Sequence, residues 1–118
     1  MEFKELLYGV FDGLIQIYQD INIGGEDVDY FLPEWNVVIF IGNMNNSYPV
    51  NEAKRKIIKE KILEYGGDDY HVEFLYVING NELQTIQQIL KIATFESYWW
   101  PLGHMDHSEW ISNLGESN

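Results

Sequence analysis

The chain has 118 residues, 46% hydrophobic and 15% aromatic, a composition that fits one folded domain and excludes a disordered acidic tail. It has no cysteine, so a disulfide framework and thiolate–metal sites are excluded too. Nineteen acids against seven bases give a net charge of −12, which repels phosphate backbones and argues against nucleic acid as a partner.

The charge is unevenly spread. Lys54, Arg55, Lys56, Lys59 and Lys61 leave only Lys4 and Lys91 for the rest of the chain. Residues 1–53 carry nine acids and one base, and residues 62–118 repeat that tally. The sequence therefore predicts an acidic surface interrupted by one basic element.

Residues 2–20 read as a helix. At about 100° per residue, Phe3, Leu6, Leu7, Val10, Phe11, Leu14, Ile17 and Tyr18 share one face, with Glu5, Asp12, Gln16 and Asp20 opposite. Gly24-Gly25 would close it with a left-handed cap. Glu26, Asp27 and Asp29 then open a short segment whose Val28, Tyr30 and Leu32 alternate, bounded by the turn formers Pro33 to Asn36. It predicts a strand near 28–32, acidic and proline-bounded like an edge strand, paired antiparallel with the next one.

That next strand, 36–42, holds Val37-Val38-Ile39-Phe40-Ile41 without alternation, so both of its faces are expected to be covered. Asn51 as N-cap and Glu52 in the first turn start a helix over 52–65 that carries the bases. Its apolar positions include Ile57, Ile58 and Ile62, with the stems of Lys54 and Lys61 lying over apolar surface. Gly66-Gly67 stops it. Residues 71–78 alternate as a strand, and strand, helix and strand make a βαβ unit with parallel strands. Leu83, Ile86, Ile89, Leu90 and Ala93 follow at helical spacing over 81–94, with Asn81 and Gln84 spaced as a capping box. The expected fold is α/β, with α+β as the variant: one domain over 1–118, with a small mixed sheet of three to four strands covered by helices. Beyond Thr94 the aromatics Phe95, Tyr98, Trp99 and Trp100 crowd before Pro101; residues 97–100 are expected to add an edge strand and 106–114 to form a short helix.

Little here carries chemistry. His104, Asp106, His107 and Glu109 are spaced closely enough for a zinc or iron ion, but an exposed polar turn, with Asp106 as a helix cap, explains them better. No Gly-rich phosphate loop follows a strand, and no serine sits in a nucleophile turn. Neither cofactor nor catalytic residue is expected. No run of about 18 apolar residues occurs, and Glu2, Lys4 and Glu5 break any leader-like start, which predicts a cytoplasmic protein without a membrane partner.

Acids and tryptophans together are the features suited to recognition. The expected function is a non-catalytic acidic binding protein that neutralises a basic protein partner, as an immunity protein or phage-encoded inhibitor does to a nuclease-type toxin. The expected contact set is Glu26, Asp27, Asp29, Trp35, Asp68, Asp69, Trp99 and Trp100. The alternatives are a self-associating structural subunit, forming a homodimer, and a small metal-dependent enzyme.

Overall fold

A computed structural model describes residues 2–42, 52–66, 72–78 and 80–97 of the chain. The elements run α1 (Phe3–Phe11), β1 (Tyr18–Ile23), β2 (Glu26–Leu32), β3 (Val37–Ile41), α2 (Glu52–Gly66), β4 (Glu73–Val77) and α3 (Glu82–Ser97). The four strands form one mixed sheet in the order β1-β2-β3-β4. The first two pairings are antiparallel, and β3–β4 is parallel.

Alternation along β3 explains its unbroken apolar run. Val37 and Ile39 enter a core formed with α1 and α3, through Phe3, Leu7, Phe11, Ile86 and Ile89. Val38 and Phe40 enter a second core on the opposite face, beneath Ile58 and Ile62 of α2. Helices thus cover both faces, and every residue of β3 but its last is buried. Each such side chain contributes on the order of 1.5–3 kcal/mol through removal from water. The fold is a small α+β arrangement built round the expected βαβ unit.

The helix expected over 2–20 is shorter: α1 stops at Phe11, and residues 18–23 are a strand. Gly13 adopts φ +85, a conformation that helical residues do not use. The apolar spacing runs on through Leu14 and Tyr18 by coincidence, and Leu14 is 52% exposed. Gly24 and Gly25, at φ +63 and +94, are the two-residue loop of a β1–β2 hairpin flanked by the Ile23–Glu26 pair. Two successive positive φ values match the twist such hairpins require. As a result β2 lies inside the sheet, between β1 and β3, and is not the expected edge strand.

The hairpin tip is held against α2. A Cβ built on Gly24 would sit 3.3 Å from Ile57 Cγ2 and 3.5 Å from Lys61 Cβ. Gly24→Ala is therefore expected to cost about 1–2 kcal/mol, combining left-handed strain with a tight contact. Urea denaturation of the variant checks this figure.

Asn81 precedes α3 as expected, but its side chain turns back to the sheet. Its Oδ1 accepts from the Ile78 N–H at 2.9 Å, and its Nδ2 donates to the Tyr76 carbonyl at 3.1 Å. Thr85, buried in the first turn, donates its hydroxyl to the Asn81 carbonyl. The buried stripe of α3 is Thr85, Ile86, Ile89 and Ala93, which leaves Leu83 at 61% exposure, away from the core face expected for it.

Candidate functional site

The sheet and two helix starts bring acids from distant parts of the chain together. At the carboxyl ends of β3 and β4 lies a shallow, open cleft of about 560 Å³, lined by Glu2, Phe3, Glu5, Ile41, Gly42, Val77, Ile78 and Glu82. Clefts beyond the carboxyl ends of parallel strands are where open α/β sheets commonly bind ligands. Phe3, Ile41, Val77 and Ile78 supply apolar surface, three glutamates supply the charge, and no base is among the described lining residues. Local structure accounts for part of this set. Glu5 and Glu82 occupy the first turns of α1 and α3, where carboxylates complement the helix dipole. Glu82 also accepts from the Gly80 N–H.

Two aspartates extend the acidic field along the hairpin. The register places Asp20 opposite Asp29, between the pairs Gln19–Tyr30 and Ile21–Val28. Asp20 has φ +55, and both strands shift their facing at this point: Tyr30 belongs to the α1–α3 core, whereas Val28 and Phe31 belong to the α2 core. The Asp29 Oδ2 accepts from the Ile41 N–H at 2.8 Å, which ties the aspartate to a residue of the cleft.

Tyr30 registers the field. Its phenol lies in the α1–α3 core against Phe3, with ring centroids 5.7 Å apart. Burial raises its pKa above the usual 10.0, and the negative neighbours Tyr8, Asp20, Asp29 and Glu2 raise it further. The unfolded chain then releases this proton at lower pH than the folded one. Stability from the neutral phenol is complete below about pH 10 and falls as pH rises through the folded value. Tyr30→Phe is expected to flatten that alkaline loss, measured as denaturation midpoints across the alkaline range.

No known family model, curated protein or solved structure matches this chain. Its site is read from its own geometry.

The residues expected to form the contact set are dispersed. Glu26 Oε2 pairs with Lys54 Nζ of α2 at 3.7 Å, so a basic residue of the same chain engages it. Asp27 Oδ1 accepts from Asn22 Nδ2 across the hairpin at 3.2 Å. Asp29 stands at the cleft through Ile41. Trp35 is only 5% exposed and sits in the core, edge-on to Phe11 with ring centroids 5.6 Å apart. Its ring is not offered to a partner; the turn that carries it packs under α1. Asp68, Asp69, Trp99 and Trp100 lie outside the described residues, as do His104, Asp106, His107, Glu109, the expected helix at 106–114 and all of the edge strand expected at 97–100 except Ser97, which instead ends α3.

Among the described residues, no three His, Cys, Asp or Glu side chains are grouped so as to hold a metal ion. No described helix is long and apolar enough to cross a membrane. Glu2, Glu5 and Glu82 were not legible as a set in the sequence. Their only signal is that Glu5 and Glu82 fall in helix first turns, and nothing local shows that those two turns meet.

Proposed function

We propose that this chain is a non-catalytic binding protein that captures a basic protein partner at the acidic cleft, in the manner of an immunity protein or phage-encoded inhibitor. The cleft carries the reading. A lysine or arginine side chain has an apolar stem and a cationic head, and the cleft pairs apolar walls with three carboxylates. Exposed carboxylates contribute little individually, and three lining one cleft present more negative charge to a basic partner than scattered ones do. The net charge of −12 adds long-range attraction, which speeds encounter with a positively charged partner. Basic α2 lies across the sheet from α1 and α3, whose first turns border the cleft, so its charge does not cancel the field there.

The test is retention of a purified basic nuclease domain, or of basic proteins from the native host, on the immobilised chain. Retention at low salt that fades as salt rises, and that fails for a variant with Glu2, Glu5 and Glu82 all changed to Gln, supports the reading. Retention indifferent to both salt and substitution refutes it.

Leu83 and Leu90, seven residues apart on α3 and exposed, favour a second reading, a self-associating subunit. Sedimentation over a concentration series separates the two: a dimer abolished by Leu83→Lys and Leu90→Lys would support the subunit.

A further inference from the structure

The face of the sheet opposite the α1–α3 core holds a different surface. Phe40 stacks on both Phe74 and Tyr76, with ring centroids 6.4 Å and 5.7 Å apart and interplanar angles of 1° and 23°. Phe40 is buried, whereas Phe74 and Tyr76 on β4 stay partly exposed. Both pack against the core that Ile58 and Ile62 close, while α2 makes its main approaches to β1 and β2.

The hairpin contacts fix how α2 is rotated. Lys54 pairs with Glu26, while Ile57 and Lys61 meet Gly24, so these three occupy the flank toward the hairpin. Ile58 and Ile62 point into the core. At about 100° per residue, Arg55 and Lys59 then fall on the opposite flank, toward β4 and its aromatic pair. The Arg55 Nε is buried without a hydrogen-bond partner, and Lys59 is exposed and makes no ion pair among the described residues. The shielded Nε cannot itself reach a ligand, so an anion would meet the outer guanidinium nitrogens and the Lys59 ammonium.

We infer that this shelf binds a nucleotide unit, with its base against Phe74 and Tyr76 and its phosphate on Arg55 and Lys59. Flat aromatic residues on a sheet face beside cationic side chains are the usual platform for a nucleobase bearing phosphate. Arg55 presents a planar fork suited to phosphate oxygens, and Lys59 adds a point charge. The same chemistry comes from a free nucleotide or from a single-stranded oligonucleotide. The chain's net charge of −12 favours the free nucleotide, because each added phosphate meets the repulsive field beyond α2.

Calorimetric titration with adenosine 5′-monophosphate, adenosine and a short oligoadenylate tests the site in the intact chain. The expected result is saturable binding of the monophosphate, weakened about tenfold by Lys59→Ala and by Arg55→Gln. Lys59 is exposed, so its variant keeps the fold, and circular dichroism verifies this. Phe74→Leu should weaken the monophosphate and adenosine alike. Tighter, salt-sensitive binding of the oligoadenylate, lost in the same variants, would assign the shelf to a strand. Binding of none of the three, adenosine binding as tightly as the monophosphate, or affinity unchanged in both cation variants would overturn the inference.

Discussion

Replacing Trp35 with alanine is expected to lower stability by about 3–5 kcal/mol, the largest loss predicted for any substitution considered. The indole is buried in the α1–α3 core and meets Phe11 edge-on, so truncation removes both its transfer from water and an aromatic contact. It also leaves a cavity where the turn docks under α1. Denaturant unfolding gives the value directly. A loss below about 1 kcal/mol would mean that the indole is solvent-facing after all, as its position in a proline-bounded turn led the sequence to imply.

Asn81→Ala is expected to cost about 2–3 kcal/mol through a different mechanism. Along β4, Glu73 donates its N–H toward β3 and Val77 accepts from that side, so Tyr76 C=O and Ile78 N–H face the outer edge of the sheet. The Asn81 amide bonds both, presenting the donor and acceptor that a neighbouring peptide group would offer. Alanine deletes two part-buried hydrogen bonds and opens the edge to pairing with other chains. Asn81→Asp keeps an acceptor for Ile78 but loses the donor to Tyr76, so its cost should be intermediate. Equal stability of the alanine variant and the parent, measured by urea unfolding, would refute this role.

The same residues mark how far the sequence could be read. β3 was legible because burial on both faces leaves an uninterrupted apolar run. The bounds of α2 and the parallel β3–β4 pair followed from Glu52, Gly66 and the alternation beyond them. The β1–β2 hairpin was hidden because Leu14, Ile17 and Tyr18 continue the spacing of α1 by chance. Gly13 and Gly24-Gly25 held the contrary signal: a glycine pair closes a hairpin as readily as it caps a helix. β2 reads as an edge strand for the same reason, because the spacing of its partner β1 continues that of a helix.

The candidate site was less legible than the fold. Local sequence shows that an acid is present but not what lies across the sheet from it. Glu26 and Asp27 stood out by clustering, yet their carboxylates engage Lys54 and Asn22 of the same chain. Glu2, Glu5 and Glu82 drew no notice, although the starts of α1 and α3 converge on the ends of β3 and β4. Of the expected contact residues in the described part of the chain, Asp29 alone reaches that region, through its bond to Ile41.

Concentration of negative potential at one end of the parallel strand pair is what the functional reading depends on. Titrating the isotope-labelled chain with a short arginine- and lysine-rich peptide, and following backbone amide shifts, tests it most directly. The predicted result is a set of shifts centred on Phe3, Glu5, Ile41, Gly42 and Val77 that collapses at high salt and in Glu5→Lys, with the amides of α2 unmoved. Shifts centred on the hairpin tip, or spread evenly over the surface, would contradict it.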